Sequence, residues 1–201
     1  MSRRSTVRNT GGVFSGLAPA RRRLVLAVLV TVVVAVVTAG ALLLSRHSGE
    51  AAPTEQGRPG PVLLVPGYGG STASLSELAA RLTAVGRDAT VVSLPGNGTG
   101  DLVAAARALG DSVQAVQART GAPTVDLVGY SAGGIVVRLW VADGGAARTR
   151  RVVTLGSPHH GTALADLATD VAADACPTAC RQLASDSDLL HRLNAGDETP
   201  A

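Results

Sequence analysis

The sequence predicts an α/β domain with a mostly parallel sheet and helices on both faces, preceded by one N-terminal apolar helix. Four short runs rich in β-branched residues alternate with stretches long enough to be helices. The runs are apolar at consecutive positions, which is typical of strands that are covered on both faces of a parallel sheet. A separate run of 21 uncharged, largely apolar residues precedes them.

Composition limits the size of the domain and the kind of partner. A chain of 201 residues with 46% hydrophobic positions is long enough for one ordinary domain and a short appendage, and it is too apolar for a disordered protein. Aromatic residues make up only 2% of the chain. We therefore expect no nucleic-acid binding through base stacking.

The charge is distributed unevenly along the chain. All 18 basic residues are arginines, and seven of them lie in residues 1–46, which contain no Asp or Glu. The remainder carries 11 arginines against 15 acidic residues, a formal charge of −4. A mildly acidic domain lacks the basic surface that phosphate backbones require, so we expect no nucleic-acid partner.

The apolar run occupies residues 24–44 and follows a basic segment at 1–23. As a helix it would span about 30 Å, the thickness of the hydrocarbon core of a bilayer. Six arginines precede it and one follows closely, which predicts a cytoplasmic N-terminus and an external domain. The sequence therefore predicts a membrane anchor. Two other interpretations of the apolar run remain: a signal peptide cleaved near residues 39–41, and a helix buried in the core of the protein.

Residues 45–60 are polar and contain Gly and Pro, which predicts a linker. The domain proper is predicted over residues 61–201. Its strands are expected at 62–65, 89–94, 125–128 and 151–155, and its helices at 75–85, 102–119 and 132–142. Ligands bind at the carboxyl ends of parallel strands, so the glycine-containing turns that follow the strands are the candidate site.

The turn at residues 129–133, Gly-Tyr-Ser-Ala-Gly, has the pattern G-x-S-x-G between a predicted strand and a predicted helix. A tight turn of this kind raises the serine hydroxyl clear of the sheet, and glycines on both sides avoid collisions with the strand and the helix. The pattern alone is a weak signal, and its placement makes it more specific. It indicates Ser131 as a candidate catalytic nucleophile.

A second glycine-rich turn, residues 66–70, follows the first predicted strand. The tetrahedral intermediate of acyl transfer needs preorganised backbone N–H donors, one from the residue after the nucleophile and one from the turn after an early strand. The amides of Ala132 and Tyr68 are the candidates for this oxyanion hole. The turn does not fit a dinucleotide-binding G-x-G-x-x-G, and the chain has no lysine for a P-loop.

Three motifs in this order resemble the α/β-hydrolases of the bacterial secreted lipase type (class 2, triacylglycerol lipase-like): Val-Pro-Gly-Tyr-Gly-Gly at 65–70, Leu-Val-Gly-Tyr-Ser-Ala-Gly-Gly at 127–134 and Thr-Leu-Gly-Ser-Pro-His-His-Gly-Thr at 154–162. The resemblance covers about residues 61–200. It implies a serine esterase that acts on lipid esters without a cofactor, with Ser131 as nucleophile and Tyr68 and Ala132 at the oxyanion hole. Pro66 departs from the pattern, because many relatives have histidine there, but the backbone amide of Tyr68 remains available.

The other two members of a catalytic triad are harder to place. A serine hydroxyl needs a histidine base oriented by a carboxylate, and in this fold both follow the serine on loops after two further strands. After Ser131 the sequence offers one clear strand, at 151–155. Three histidines follow it and are interpreted as non-catalytic: His159 and His160 in a substrate-side loop, and His191 on a helix surface. The expectation is therefore that base and acid lie beyond residue 201, that the domain at 61–201 is incomplete, and that its activity is severely reduced.

Cys176 and Cys180 are the only cysteines of the chain. An even number of cysteines in an exported chain favours a disulfide, although reduced or cross-paired cysteines remain alternatives. A zinc site would need two further ligands at a comparable spacing, so no metal is expected.

Two alternatives to the esterase remain. An acyltransferase or a thioesterase would use the same nucleophile. A non-catalytic α/β binding domain, or a remnant of an enzyme, would keep the glycine turns as folding features only.

Overall fold

A computed structural model describes residues 19–47 and 57–196 of the chain. The chain divides into two compact units, residues 1–50 and 51–201. In the first unit, helix α1 spans Pro19–His47, which confirms the predicted helix at 24–44. No helix within the described ranges combines the length and the apolarity needed to cross a membrane, so the structure does not support the predicted anchor. Most of the basic segment and of the predicted linker lies outside the described residues.

The second unit alternates strands and helices. Its strands are β1 (Val62–Val65), β2 (Ala89–Val91), β3 (Val125–Tyr130) and β4 (Thr149–Leu155). Its α-helices are α2 (Ala73–Ala84), α3 (Leu102–Thr120), α4 (Ala132–Trp140), α5 (Ala163–Val171), α6 (Thr178–Gln182) and α7 (Asp188–Asn194). Short 3₁₀ segments occur at Pro95–Gly98, Ala146–Arg148 and Ala173–Ala175, and a π-turn occurs at Val141–Gly145. All predicted strands and helices of this unit are present, with shifted ends.

The four strands form one parallel sheet in the order β2-β1-β3-β4. Within it, Leu63 of β1 is aligned with Thr90 of β2 and with Leu127 of β3. Tyr130 at the end of β3 is aligned with Leu155 at the end of β4. Because the strands are parallel, their carboxyl ends lie at one edge of the sheet. The turns that follow β1, β3 and β4 therefore meet there, as the sequence predicts.

Helices cover both faces of the central strands. Leu63 and Val65 belong to the larger apolar core, which also contains buried residues of α3 and α4, among them Leu109, Val113, Ile135 and Val136. Val62 and Leu64 point to the other face and pack with Leu75 of α2. Burying each such side chain contributes about 1.5–3 kcal/mol. All four residues of β1 are therefore buried because helices cover both faces of this strand, as the sequence predicts.

Strand β4 departs from the prediction of a sheet covered on both faces. Val152, Val153 and Leu155 are 42%, 49% and 40% exposed, and β4 is an end strand in the sheet of described residues. Consecutive apolar residues predict a strand, but they do not identify the elements that cover it. Nothing in the described ranges buries these three side chains.

Candidate active site

Ser131 joins β3 to α4 in an unusual backbone conformation. Its φ is 51° and its ψ is −126°, a region that residues other than glycine rarely adopt and that costs about 1–3 kcal/mol. The surrounding backbone holds the turn on both sides. The Ser131 amide donates a 2.9 Å hydrogen bond to the carbonyl of Leu155, and its carbonyl accepts one of 3.0 Å from the Gly134 amide. The turn is therefore sharp and fixed.

Two glycines allow the first turn of α4 to pack directly against the sheet. A Cβ on Gly133 would lie 2.2 Å from the carbonyl oxygen of Val65, and one on Gly129 would lie 2.5 Å from the Cα of Gly134. No larger residue fits at these distances. The steric role that the sequence argument gives to both glycines is confirmed.

The residues predicted for the oxyanion hole belong to two segments that approach Ser131. Gly67, which precedes Tyr68, approaches the serine so closely that a Cβ on Gly67 would lie 2.8 Å from Ser131 Cβ. Ala132 is the first residue of α4, so its amide has no acceptor within the helix. Among residues 57–196, no backbone acceptor is found for the Tyr68 amide. The amino end of α4, with the positive end of its dipole, therefore follows Ser131 directly.

A cavity of about 360 Å³ is lined by both Ser131 and Tyr68. The other lining residues come from the β4–α5 loop, α5 and the α6 region: Gly156, Pro158, Thr162, Leu164, Ala165, Ala168, Cys180 and Leu183. Most of these side chains are apolar. A mainly apolar cavity with a polar group at its wall is a common form of small-molecule site.

The sequence pattern did not identify the cavity walls formed by α5 and α6. One local signal for α5 was present, because Thr162 precedes an apolar stretch and its hydroxyl accepts a 3.4 Å hydrogen bond from the Leu164 amide. The inward position of α5 depends on a distant contact. Asp166 Oδ1 and Oδ2 accept hydrogen bonds of 2.6 Å and 2.8 Å from the amide and the hydroxyl of Ser185. No local pattern reveals such a pairing.

Cys176 and Cys180 form a disulfide, so the pairing favoured by the sequence is the one present. The bond connects the residues around the short helix α6, and Cys180 lines the cavity. Within the described ranges, no group of three or more His, Cys, Asp or Glu side chains could hold a metal ion.

Two of the three histidines after Ser131 contact polar side chains of neighbouring segments. His159 Nε2 lies 3.1 Å from Thr154 Oγ1, and its Nδ1 lies 3.4 Å from a guanidinium nitrogen of Arg138. His160 Nδ1 lies 3.4 Å from Asn194 Nδ2, and His191 is exposed on α7. The interpretation of His159 and His160 as loop-shaping residues agrees with these contacts.

Two lipases are among the solved structures whose folds are similar to that of this chain. The mature lipase BlEst2 of Bacillus licheniformis is 26% identical, with a TM-score of 0.59, over 71% of this chain and 62% of the lipase. Lipase B of Aspergillus fumigatus is 17% identical, with a TM-score of 0.60, over 70% of this chain and 34% of that protein; this second likeness shows the fold alone. The chain thus spans less than two thirds of the length of either lipase. A comparison with curated proteins found no match.

Residues 60–173 match the family described as alpha/beta hydrolase fold. The match covers β1 to β4 and the turns that contain Tyr68 and Ser131. Since it extends over more than half of the 201 residues, the chain belongs to the α/β-hydrolase fold family.

Proposed function

We propose that the protein is a serine ester hydrolase that cleaves carboxylic esters of lipids through an acyl-enzyme on Ser131. The observation that carries the proposal is the positive-φ turn at Ser131, which lines a mainly apolar cavity. The likeness to a mature bacterial lipase at 26% identity supports the ester chemistry. The apolar walls favour an acyl group or another apolar substituent beside the ester.

In this mechanism, a base removes the proton from the Ser131 hydroxyl as Oγ forms a bond to the ester carbonyl carbon. The carbonyl oxygen becomes an oxyanion and accepts hydrogen bonds from the amides of Tyr68 and Ala132. In a serine protease, removal of one such donor raises the activation free energy by about 2.7–4 kcal/mol. Collapse breaks the bond to the alcohol, which leaves with the proton, and water then releases the acid from Ser131.

This mechanism requires a base and a carboxylate that orients it, and the proposal assigns neither role to a named residue. Without both groups, a serine hydrolase retains about 10³–10⁴-fold catalysis over water in the serine-protease example. The described residues would then supply binding and oxyanion stabilisation only.

Covalent labelling tests the nucleophile directly. A preparation of the protein that hydrolyses a soluble ester is incubated with a small fluorophosphonate, and the labelled serine is identified by peptide mass spectrometry. We expect the phosphonyl group on Ser131 and its loss in Ser131→Ala, whereas Ser157→Ala, which removes a hydroxyl from the neighbouring turn, retains it. A label distributed over exposed serines, or no label on Ser131, would contradict the proposal.

We propose that the hydrolase unit works outside the cytoplasm, which the Cys176–Cys180 disulfide supports. Fractionation of cells that express the full chain tests this location. Protein in the culture fluid supports a removed signal peptide, and protein in washed membranes supports attachment through residues 24–44. Protein only in the cytosolic fraction would contradict export.

A further inference from the structure

A second cavity lies between α3 and the segment around the end of α4. Its volume is about 320 Å³, which is at the lower end of the range for small-molecule sites. It shares no lining residue with the cavity that contains Ser131. We call it the distal cavity. Its lining residues come from α3, α4 and the π-turn: Val103, Ala106, Arg107, Leu139, Ala142 and Asp143.

The distal cavity lies at the opposite end of α4 from Ser131. Helix α4 begins directly after Ser131 and has nine residues, a length of about 13 Å. Leu139 lies near the end of this helix, and the π-turn Val141–Gly145 follows it and leads towards the start of β4. The distal cavity is therefore too far from the serine hydroxyl to hold the ester that is cleaved.

Two opposite charges line this cavity without pairing. Arg107 and Asp143 are both exposed, and neither makes a hydrogen bond or an ion pair with a residue that the structure describes. Arg107 also attracts the carboxylate of Asp101, but that carboxylate already accepts hydrogen bonds from Gln182 and from a backbone amide. The donors of Arg107 and the acceptors of Asp143 are thus both available to a ligand.

The packing of Trp140 fixes the separation of these two charges. Trp140 is 5% exposed. A Cβ on Gly110 of α3 would lie 2.9 Å from its Nε1, and a Cβ on Gly145 of the π-turn would lie 2.4 Å from its Cδ2. The indole therefore contacts the backbone of both segments directly. Because Arg107 is three residues before Gly110 and Asp143 is two before Gly145, their backbones are held at a set distance.

The chemistry of the walls defines the ligand. A guanidinium binds a carboxylate well, and the carboxylate of Asp143 binds an ammonium group. Asp143 also follows the carboxyl end of α4, where the helix dipole favours a positive charge. The other four lining side chains are aliphatic. A ligand that matches all three features has one carboxylate, one ammonium group and an aliphatic side chain.

We propose that the distal cavity binds a free aliphatic α-amino acid, with its carboxylate at Arg107 and its ammonium group at Asp143. A longer peptide does not fit this arrangement, because its two terminal charges lie too far apart to enter one cavity of this size. The proposal goes beyond ester cleavage and does not depend on Ser131 as nucleophile.

Ligand analogues test the proposal on the full chain. Saturation-transfer NMR measures the binding of L-leucine, of isocaproate, which lacks the ammonium group, of isopentylamine, which lacks the carboxylate, and of glycine, which lacks the side chain. We expect L-leucine to bind more tightly than each of the other three. No binding of L-leucine, or equal binding of leucine and any one analogue, would overturn the proposal.

Two charge-neutralising variants locate the site. We expect Arg107→Gln and Asp143→Asn each to weaken leucine binding by about tenfold, since a hydrogen bond to a charged group contributes about that factor. Arg192→Gln and Asp111→Asn are the matched controls, because both residues are exposed and neither lines the cavity. Circular dichroism confirms that each variant is folded. Equal affinities in all four variants would overturn the assignment.

Ser131→Ala separates this inference from the proposed function. This variant should lose the fluorophosphonate label and bind L-leucine as tightly as the wild type does. Loss of leucine binding in Ser131→Ala would place leucine in the cavity that contains Ser131 and would overturn the distal site. If the wild type binds leucine but is not labelled, the esterase proposal fails and the distal site stands.

Discussion

Asp101 and Gln182 are 81 residues apart in sequence and connect the start of α3 to the end of α6. Asp101 Oδ1 accepts a 2.7 Å hydrogen bond from Gln182 Nε2 and a 3.0 Å hydrogen bond from the Val103 amide. Gln182 Oε1 in turn accepts a 2.8 Å hydrogen bond from the Leu102 amide. The pair satisfies two free amides of the first helical turn. It also fixes the segment next to Leu183, a wall of the cavity.

Replacement of this cap should lower stability. We expect Asp101→Ala to reduce the free energy of unfolding by about 1 kcal/mol, a typical value for loss of an N-cap. Urea unfolding followed by circular dichroism measures the change. Asp111→Ala is the matched control, because Asp111 is an exposed aspartate within the same helix. Equal effects of the two substitutions would contradict the capping role.

The same carboxylate should make stability depend on pH in acid. The hydrogen bond from Gln182, followed by bonds from the amides of α3, holds the pKa of Asp101 below its ordinary value. The unfolded chain, with a pKa of about 3.9, then binds the proton more readily than the folded chain. Stability from this group is therefore present above about pH 4 and is lost as the pH falls through the unfolded pKa towards the lower folded pKa.

Asp101→Asn keeps a capping oxygen and removes this titration. We expect its free energy of unfolding to fall less than that of the wild type between about pH 5 and about pH 3. The pKa of Asp88 is also lowered, by its hydrogen bond from Arg119. Its contribution to stability is therefore also lost as the pH falls, and this loss is the same in both proteins. Parallel pH profiles would show that Asp101 does not contribute.

Packing of α4 against β1 should tolerate no side chain at residue 133. Gly133→Ala places a Cβ 2.2 Å from the Val65 carbonyl oxygen, and overpacking of this kind costs about 1–3 kcal/mol or more. Gly100→Ala is the control, since a Cβ there meets no atom within 4 Å. Thermal unfolding should show a lower midpoint for Gly133→Ala only. We also expect Gly133→Ala to slow labelling of Ser131, because displacement of α4 moves the Ala132 amide.

A buried ion cluster stabilises the amino edge of the sheet. Asp126 of β3 accepts hydrogen bonds from Arg150 of β4, one of them 2.8 Å from Nε, and from Arg87 at 2.7 Å. The side chain of Arg150 is only 4% exposed. Asp126→Ala removes the carboxylate that accepts these hydrogen bonds from a buried cation, so we expect a loss of about 3–5 kcal/mol.

An exposed ion pair provides the comparison for that loss. Arg119 and Asp88 are 53% and 36% exposed, and removal of an exposed pair typically costs about 0–1 kcal/mol. Chemical unfolding of Asp126→Ala and Asp88→Ala should therefore give clearly different midpoints. Similar midpoints would mean that water compensates Arg150 after the substitution.

The local pattern was sufficient for the strands, the crossover helices and the turn at Ser131. Consecutive apolar residues at 62–65 predict a strand buried on both faces, and this is what β1 forms. Gly129 and Gly133 are predicted because both belong to the G-x-S-x-G motif of the turn. The motif and the apolar runs are local patterns, and periodicity and turn chemistry report such patterns even where, as for Gly133 and Val65, the contact itself joins distant residues.

By itself, the sequence determined where strands and helices form, which serine occupies the sharp turn, and that two cysteines are close enough to pair. Only the tertiary structure decided the strand order, the exposure of Val153 on β4, and the cavity wall contributed by α5 and α6. Those features depend on contacts such as Asp101 with Gln182 and Asp166 with Ser185, which join residues far apart in the chain. A linear pattern contains the propensity of each segment, whereas the free energy of packing is set by the segments that meet in space.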